Sequence, residues 1–182
     1  MRQSVSRSAI DGRASTEAAG SVDRRLRAWV AFLRAHAAVT RQLEAELHAE
    51  RGLSLSDYDA LVQLAFAEDR RLRMNELANR VLLSRSGVSR LVDRLVARGY
   101  VRRRFCTTDA RGWWAELTQD GLESLREAAP VHLRGVESHF LAVLSDADRE
   151  ALTGAMESIV RRLGEPEADE LPRSATGEAS RR

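Results

Sequence analysis

From Leu26 to Leu163 the apolar residues of this chain recur mostly at three- and four-residue steps, the spacing of an α-helical face. The pattern gives way to another over residues 101–117, which are rich in β-branched and aromatic side chains. Turn formers (Thr107, Thr108, Asp109, Ala110, Arg111, Gly112) divide that stretch. It therefore reads as two short strands, 101–106 and 113–117, joined as a hairpin. A chain with this alternation is committed to a mainly α fold (α+β) with one small β element.

The helices can be placed from their stripes and caps. Residues 23–50 carry Leu26, Trp29, Val30, Leu33, Ala37, Leu43 and Leu47 on one face and end at Gly52. Ser56 is positioned to cap a helix over 57–67 that buries Tyr58, Leu61, Val62, Leu64 and Ala65. A short helix over 74–81 holds Leu77 and Ala78. Ser84 caps the next, which runs to Arg98 with Val88, Leu91, Val92, Leu95 and Val96 inward and Gly99 at the left-handed position that ends it. Past the hairpin, Thr118 opens a helix through Leu122, Leu125, Ala129, His132, Leu133, Val136, Phe140 and Val143, with Pro130 as its point of kinking. Ser145 and Asp148 have the spacing of a capping box for a last helix through Leu152, Met156, Ile159 and Leu163, closed by Gly164.

The expected order is α-α-α-α-β-β-α-α, with helix, turn, helix and hairpin at its centre. Residues 1–20 lack apolar periodicity, and 165–182 are polar with two prolines, so both are expected to be disordered tails. The outer helical regions, 21–55 and 119–164, are too long to be covered by a centre of 56–118. Trp29, Leu33, Leu122, Val136 and Ile159 need a further surface, and a second copy of the chain supplies one, which makes a homodimer the expected state.

Charge is distributed unevenly. The formal net of +2 conceals a block, residues 70–111, with 12 arginines against three acids, while 1–69 carry a net of −1 and 112–182 a net of −6. All 29 basic residues are arginine, each a planar fork able to take a phosphate or a guanine edge through two hydrogen bonds. Such a block is the electrostatic footprint of a polyanion binder. A single cysteine, Cys106, excludes an internal disulfide framework and fits a reducing compartment. With no apolar run near the ~20 residues a membrane span needs and no secretory h-region near Met1, a cytoplasmic protein without membrane association is expected.

On the helix from Ser84 to Arg98, the inward stripe leaves Arg85, Ser86, Ser89, Arg90, Asp93 and Arg94 outward. Small residues at its start (Ser84, Ser86, Gly87) permit close approach of a phosphate to free helix N–H groups, and the arginines reach further, as a helix entering a DNA major groove requires. Arg111 at the hairpin tip, two residues from Asp109, suits a minor groove, whose negative potential favours arginine.

The stretches Leu72-Arg73-Met74-Asn75-Glu76-Leu77-Ala78, Leu83-Ser84-Arg85-Ser86-Gly87-Val88-Ser89-Arg90-Leu91-Val92-Asp93-Arg94-Leu95, Arg98-Gly99-Tyr100-Val101, Asp109-Ala110-Arg111-Gly112 and Leu117-Thr118 resemble the MarR family of winged helix-turn-helix transcriptional regulators. The likeness spans about 23–163 and is most specific over 84–118. It implies a winged helix-turn-helix lobe whose long N- and C-terminal helices form a dimerisation lobe. The helix from Ser84 would enter the major groove and the wing at 109–112 the minor groove, with Ala110 standing where many members have a second wing arginine. It also implies a small, often phenolic or aromatic anionic effector that weakens DNA binding. The expected DNA-binding residues are Arg73, Ser84, Arg85, Ser86, Ser89, Arg90, Arg94, Asp109 and Arg111, and Trp29, Phe32 and His36 are the candidates for lining an effector cleft.

The expected function is a homodimeric repressor on a pseudo-palindromic double-stranded operator. Two other readings are open: a dimeric small-molecule binder or enzyme on the same scaffold, and a non-specific architectural DNA binder. The sequence has no G-x-S-x-G, H-E-x-x-H, G-x-G-x-x-G or Walker loop, so no catalytic residues and no cofactor are expected. His132 and His139 share a helix face, but without a third ligand at metal spacing they predict no metal site, and Cys106 reads as a plain strand residue.

Overall fold

The computed structural model describes residues 8–81, 83–105 and 112–164. The chain divides into two compact units, 1–41 and 42–182, and the first helix, α1 (Ser8–Arg51), contributes to both. Residues 8–20, expected within a disordered tail, are helical. Ala9, Ala14, Ala18, Ala19 and Glu17 lose little on entering a helix, so propensity extends α1 where no apolar stripe does. Residues 1–7 and the expected tail at 165–182 lie outside the described residues. Within the first unit Leu26, Trp29, Val30, Phe32 and Leu33 are all exposed.

The second unit continues with α2 (Leu55–Phe66), a tight 3-10 turn (Glu68–Arg70), β1 (Arg71–Arg73), α3 (Met74–Arg80), α4 (Arg85–Ala97), β2 (Val101–Phe105), β3 (Trp113–Leu117), α5 (Gln119–Val136), a wide π-type turn (Glu137–Leu141) and α6 (Asp146–Leu163). None of the described helices is long and apolar enough to cross a membrane. Three caps stand where their residue types place them: Ser84 accepts from the Gly87 N–H, Thr118 from Gly121, and Ser145 from Asp148 in a full capping box. For α2 the cap is Ser54 rather than Ser56. Asp57, three residues beyond Ser54, returns a bond to the Ser54 N–H at 3.3 Å while its own N–H donates to Ser54 Oγ at 3.0 Å, and that reciprocal pair is open to Ser54 only.

A three-residue strand, β1, joins the hairpin to make an antiparallel sheet of order β1-β3-β2. Its register pairs Ala115 of β3 with Leu72 on one side and Arg103 on the other, and Leu117 with Val101, on the face turned to the helices. One core joins Leu47 and Leu53 at the end of α1, Leu61 and Leu64 of α2, Leu77 of α3, Val88, Leu91, Val92 and Leu95 of α4, and Leu122, Leu125, Ala128 and Val131 of α5. The packing therefore runs across the boundaries expected at 55/56 and 118/119, because the first half of α5 buries its stripe in the winged lobe.

Helix α5 passes through Pro130 and ends at Val136. The expected continuation to Val143 is replaced by the wide turn, closed by a bond from Ala142 N–H to Glu137 O at 2.8 Å. At the other end of α5, Thr118 Oγ1 donates to Gly99 O at 2.7 Å and lies 3.0 Å from Tyr100 O, and a Cβ on Gly121 would stand 2.1 Å from the same Tyr100 carbonyl. Only glycine lets the first turn of α5 rest on the strand entry. Gly121→Ala is expected to destabilise the fold by about 1–3 kcal/mol, read as a lowered urea midpoint.

His132 of α5 stacks on Tyr58 of α2, with centroids 4.5 Å apart. Burial pushes its imidazole pKa below the ordinary value, and Nδ1 is buried with no hydrogen-bond partner among the described residues. The unfolded chain thus takes up a proton that the folded chain refuses, so this contribution is complete above a pH of about 6.5 and is lost as pH falls toward the lowered folded value. Melting temperature should drop between pH values of about 7.5 and 5.5 by more in the native protein than in His132→Phe, which keeps the ring stack.

Candidate nucleic-acid interface

Helix α4 turns Val88, Leu91, Val92 and Leu95 into the core and leaves Ser86, Arg90, Asp93 and Arg94 exposed. Its start is prepared for an anion. Ser84 is extended at φ −64°, ψ 158°, its hydroxyl lies 3.1 Å from the Gly87 amide and 3.2 Å from Ser86 Oγ, and the first turn has no acidic residue. The partial positive charge of the free N–H groups is therefore not neutralised within the helix.

The arginines expected to act alike are held differently. Arg90 is exposed and makes no hydrogen bond or ion pair among the described residues. Arg94 is already committed: its Nη2 lies 2.8 Å from Oδ1 of Asp57, a carboxylate whose residue is only 5% exposed. The same Asp57 completes the α2 capping box, so one buried group ties the start of α2 to the recognition face. Arg98 supports this join, donating to Gly52 O at 2.8 Å and stacking on Tyr100 at 4.8 Å. Ser89 is also occupied, since Arg103 of β2 reaches its Oγ at 3.2 Å and its carbonyl at 3.3 Å while pairing with Asp93 at 2.8 Å. Arg94 and Ser89 thus hold α4 in place; their sequence gave no sign of it, because the partners lie 37 and 14 residues away.

The outer face of the sheet is a second cationic surface. Trp114 lies beneath two guanidinium groups, Arg73 at 4.5 Å and Arg71 at 5.1 Å, while Arg102 and Arg104 are turned to an acid. Those two flank Glu116, at 2.5 Å and 3.3 Å. Hydrogen bonding to Arg102 holds the Glu116 carboxyl below the usual carboxylate range, and the same bond raises Arg102. Arg73 sits where α3 begins, its guanidinium against Gly112 at the root of the loop. Asp109, Arg111, Cys106 and the side chain of Arg85 lie outside the described residues.

Trp29, Phe32 and His36 form a ladder of rings along α1, with centroid spacings of 5.9 Å and 6.1 Å. Both Trp29 and Phe32 are exposed in their unit. His139, in the wide turn that follows α5, bonds Glu46 at 2.6 Å. Among the described residues no group of three or more His, Cys, Asp and Glu is arranged to hold a metal ion.

Helix, turn and helix packed on a three-stranded sheet, with the second helix presenting an arginine face beside a hairpin, define a winged helix-turn-helix protein. Residues 51–112 match the profile of the MarR family. The chain is 37% identical to AbsC, a MarR family transcriptional regulator from Streptomyces coelicolor, over 78% of this chain and 95% of that one, with a TM-score of 0.72. It is 34% identical to Sco3205 of the same organism, a MarR family regulator solved in complex with DNA, over 81% and 92% of the two chains, with a TM-score of 0.74. It is also 32% identical to the HTH-type transcriptional repressor YetL of Bacillus subtilis, over 63% of this chain and 68% of that protein. The chain belongs to the MarR family of transcriptional regulators.

Asp57→Asn keeps the cap acceptor and removes the charge that holds Arg94. We expect a loss of about 1–3 kcal/mol in urea unfolding. Arg94→Ala should cost little more in the Asp57→Asn background, a coupling that a double-mutant cycle would read directly.

Proposed function

We propose that this chain is a cytoplasmic, homodimeric repressor that binds a pseudo-palindromic double-stranded DNA operator in sequence-specific fashion, is released by a small aromatic anion, and performs no catalysis. The observation that carries the reading is the α4 face: an uncompensated helix start beside Arg90, which has no partner among the described residues, on a helix locked by Asp57 and Arg103. A helix immobilised in this way can present a side chain to base edges with little further ordering cost.

Arg90 and Ser86 are assigned to base edges, and Ser84, Arg85 and the α4 N–H groups to a phosphate. Arg73 and the wing pair Asp109 and Arg111 are assigned to the flanking backbone and minor groove. Ser89 and Arg94 take part as residues that position α4. Dimerisation is supported by the exposed apolar side chains of α1 (Leu26, Trp29, Val30, Leu33) and, separately, of α6 (Ile159, Val160, Leu163), surfaces a soluble monomer seldom leaves open. Two copies related by a twofold axis would set their α4 helices about 34 Å apart, one turn of DNA. The rings of Trp29, Phe32 and His36 offer an aromatic effector stacking partners. Release follows if the effector binds better to a dimer whose helix spacing does not match the operator.

Footprinting of purified protein on fragments of its own chromosome tests the reading. A protected site with two half-sites one turn apart is expected, bound at least about a thousandfold more tightly than scrambled duplex at the same salt. Arg90→Ala should weaken operator binding by about 10- to 100-fold and relax preference at one base pair per half-site, with the dimer intact by sedimentation. Equal affinity for operator and scrambled duplex would establish the architectural reading instead.

A further inference from the structure

Two aromatic side chains on the helix-facing side of the hairpin have no place in the core. Phe105 and Trp113 pair across β2 and β3 in the row beyond Arg103 and Ala115, and they are 51% and 49% exposed. Their rings meet edge to face, with centroids 5.4 Å apart and planes at 75°. Strand β2 leaves the C-terminal end of α4 and runs back along it, so Arg103 already reaches Ser89 and Asp93. Phe105, two residues further on the same face and about 7 Å along the strand, stands toward the N-terminal turns of α4. An apolar knob therefore stands at the end of the described hairpin, one row beyond the point where Arg103 joins β2 to α4.

Its neighbours include three arginines, of which Arg103 is paired with Asp93, Arg104 with Glu116, and Arg90 with no group among the described residues. Arg104 on the opposite face of β2 is 60% exposed, Arg103 lies one row behind, and Arg90 projects from α4. A partner for this place must combine apolar C–H surface with negative charge at close spacing. The sugar–phosphate backbone of a duplex does so, a deoxyribose between every two phosphates. The faces of duplex bases are stacked and out of reach of a ring, and an edge-to-face pair forms no parallel slot for an extruded base. We propose that Phe105 and Trp113 pack on deoxyribose of the operator backbone bordering the major groove that α4 enters, seating the wing through shape and apolar contact while the arginines take the phosphates. The inference rests on the DNA-binding function proposed above.

The test uses the full-length protein and a fluorescein-labelled duplex carrying the footprinted site, with anisotropy titrations across a salt series. Trp113→Ala and Phe105→Ala should each weaken binding by about tenfold. The slope of log K against log salt should stay unchanged in both, since no phosphate contact is lost, whereas Arg104→Ala, which removes a proposed phosphate contact, should lower it by about one. Trp113→Phe should bind within about twofold of the native protein, because a ring is retained. Circular dichroism and melting check the fold, and Trp113→Leu and Phe105→Leu replace the alanine variants if those melt early. They should weaken binding in the same direction with the same slope. Native affinity in the alanine or leucine variants overturns the inference, and points to a protein partner for the knob. A lowered slope also overturns it, since the rings would then be acting by holding arginines. Failure of the native chain to bind any chromosomal fragment removes the proposed function itself, and this inference with it.

Discussion

The carboxylate of Asp57 is the group on which the arrangement of this protein turns. It closes the capping box of α2 and accepts the guanidinium of Arg94, so the helix that follows α1 and the helix that faces solvent with its arginines are fixed by one side chain. A buried carboxylate is stable only when its lone pairs are filled, and here the backbone amide of Ser54 and Arg94 do so from two sides. The half-exposed arginine keeps part of its hydration, which limits the cost of the pairing. Arg103, bridging from β2 to Ser89 and Asp93, fixes the opposite flank of the same helix. Recognition geometry in this chain is thus a property of polar contacts around α4 as much as of the leucine and valine core beneath it.

Much of the architecture is legible in the amino-acid sequence. Ser84, Thr118 and the Ser145–Asp148 pair are caps whose chemistry is local, and Gly99 and Gly164 adopt the positive φ their positions demand. Helix stripes were equally plain where burial follows period. What escaped was whatever depends on partners distant in sequence. Strand β1 is three residues long and has no alternation to detect; it exists because Leu72 finds Ala115 across the sheet. Ser54 and Ser56 are indistinguishable as isolated hydroxyls, and only the reach of Asp57 decides between them. The start of α1 at Ser8 was missed because an alanine-rich segment can be helical without being amphipathic.

The site divides in the same way. That α4 carries the chemistry was evident from its charge and small residues, yet the roles along it were not. Arg90 and Arg94 look alike in the sequence, one turn apart on one face, and the structure gives them opposite circumstances: one without a partner among the described residues, one bound to a buried acid. The two tryptophans of β3 also differ from a simple inside–outside alternation. Trp114 lies against the guanidinium groups of Arg71 and Arg73, and Trp113 meets Phe105 beyond the end of the core.

The commitment of Arg94 has an evolutionary reading. A helix that reads a major groove changes its target through the side chains that reach base edges, and each position already employed in holding that helix is withdrawn from the alphabet. Here Ser89, Asp93 and Arg94 are engaged by Arg103 and Asp57, and under the DNA-binding assignment proposed above Ser86 and Arg90 are the letters left to change. Under that assignment new target sites would arise through those two positions, and a substitution at 94 would have to be accompanied by one at 57.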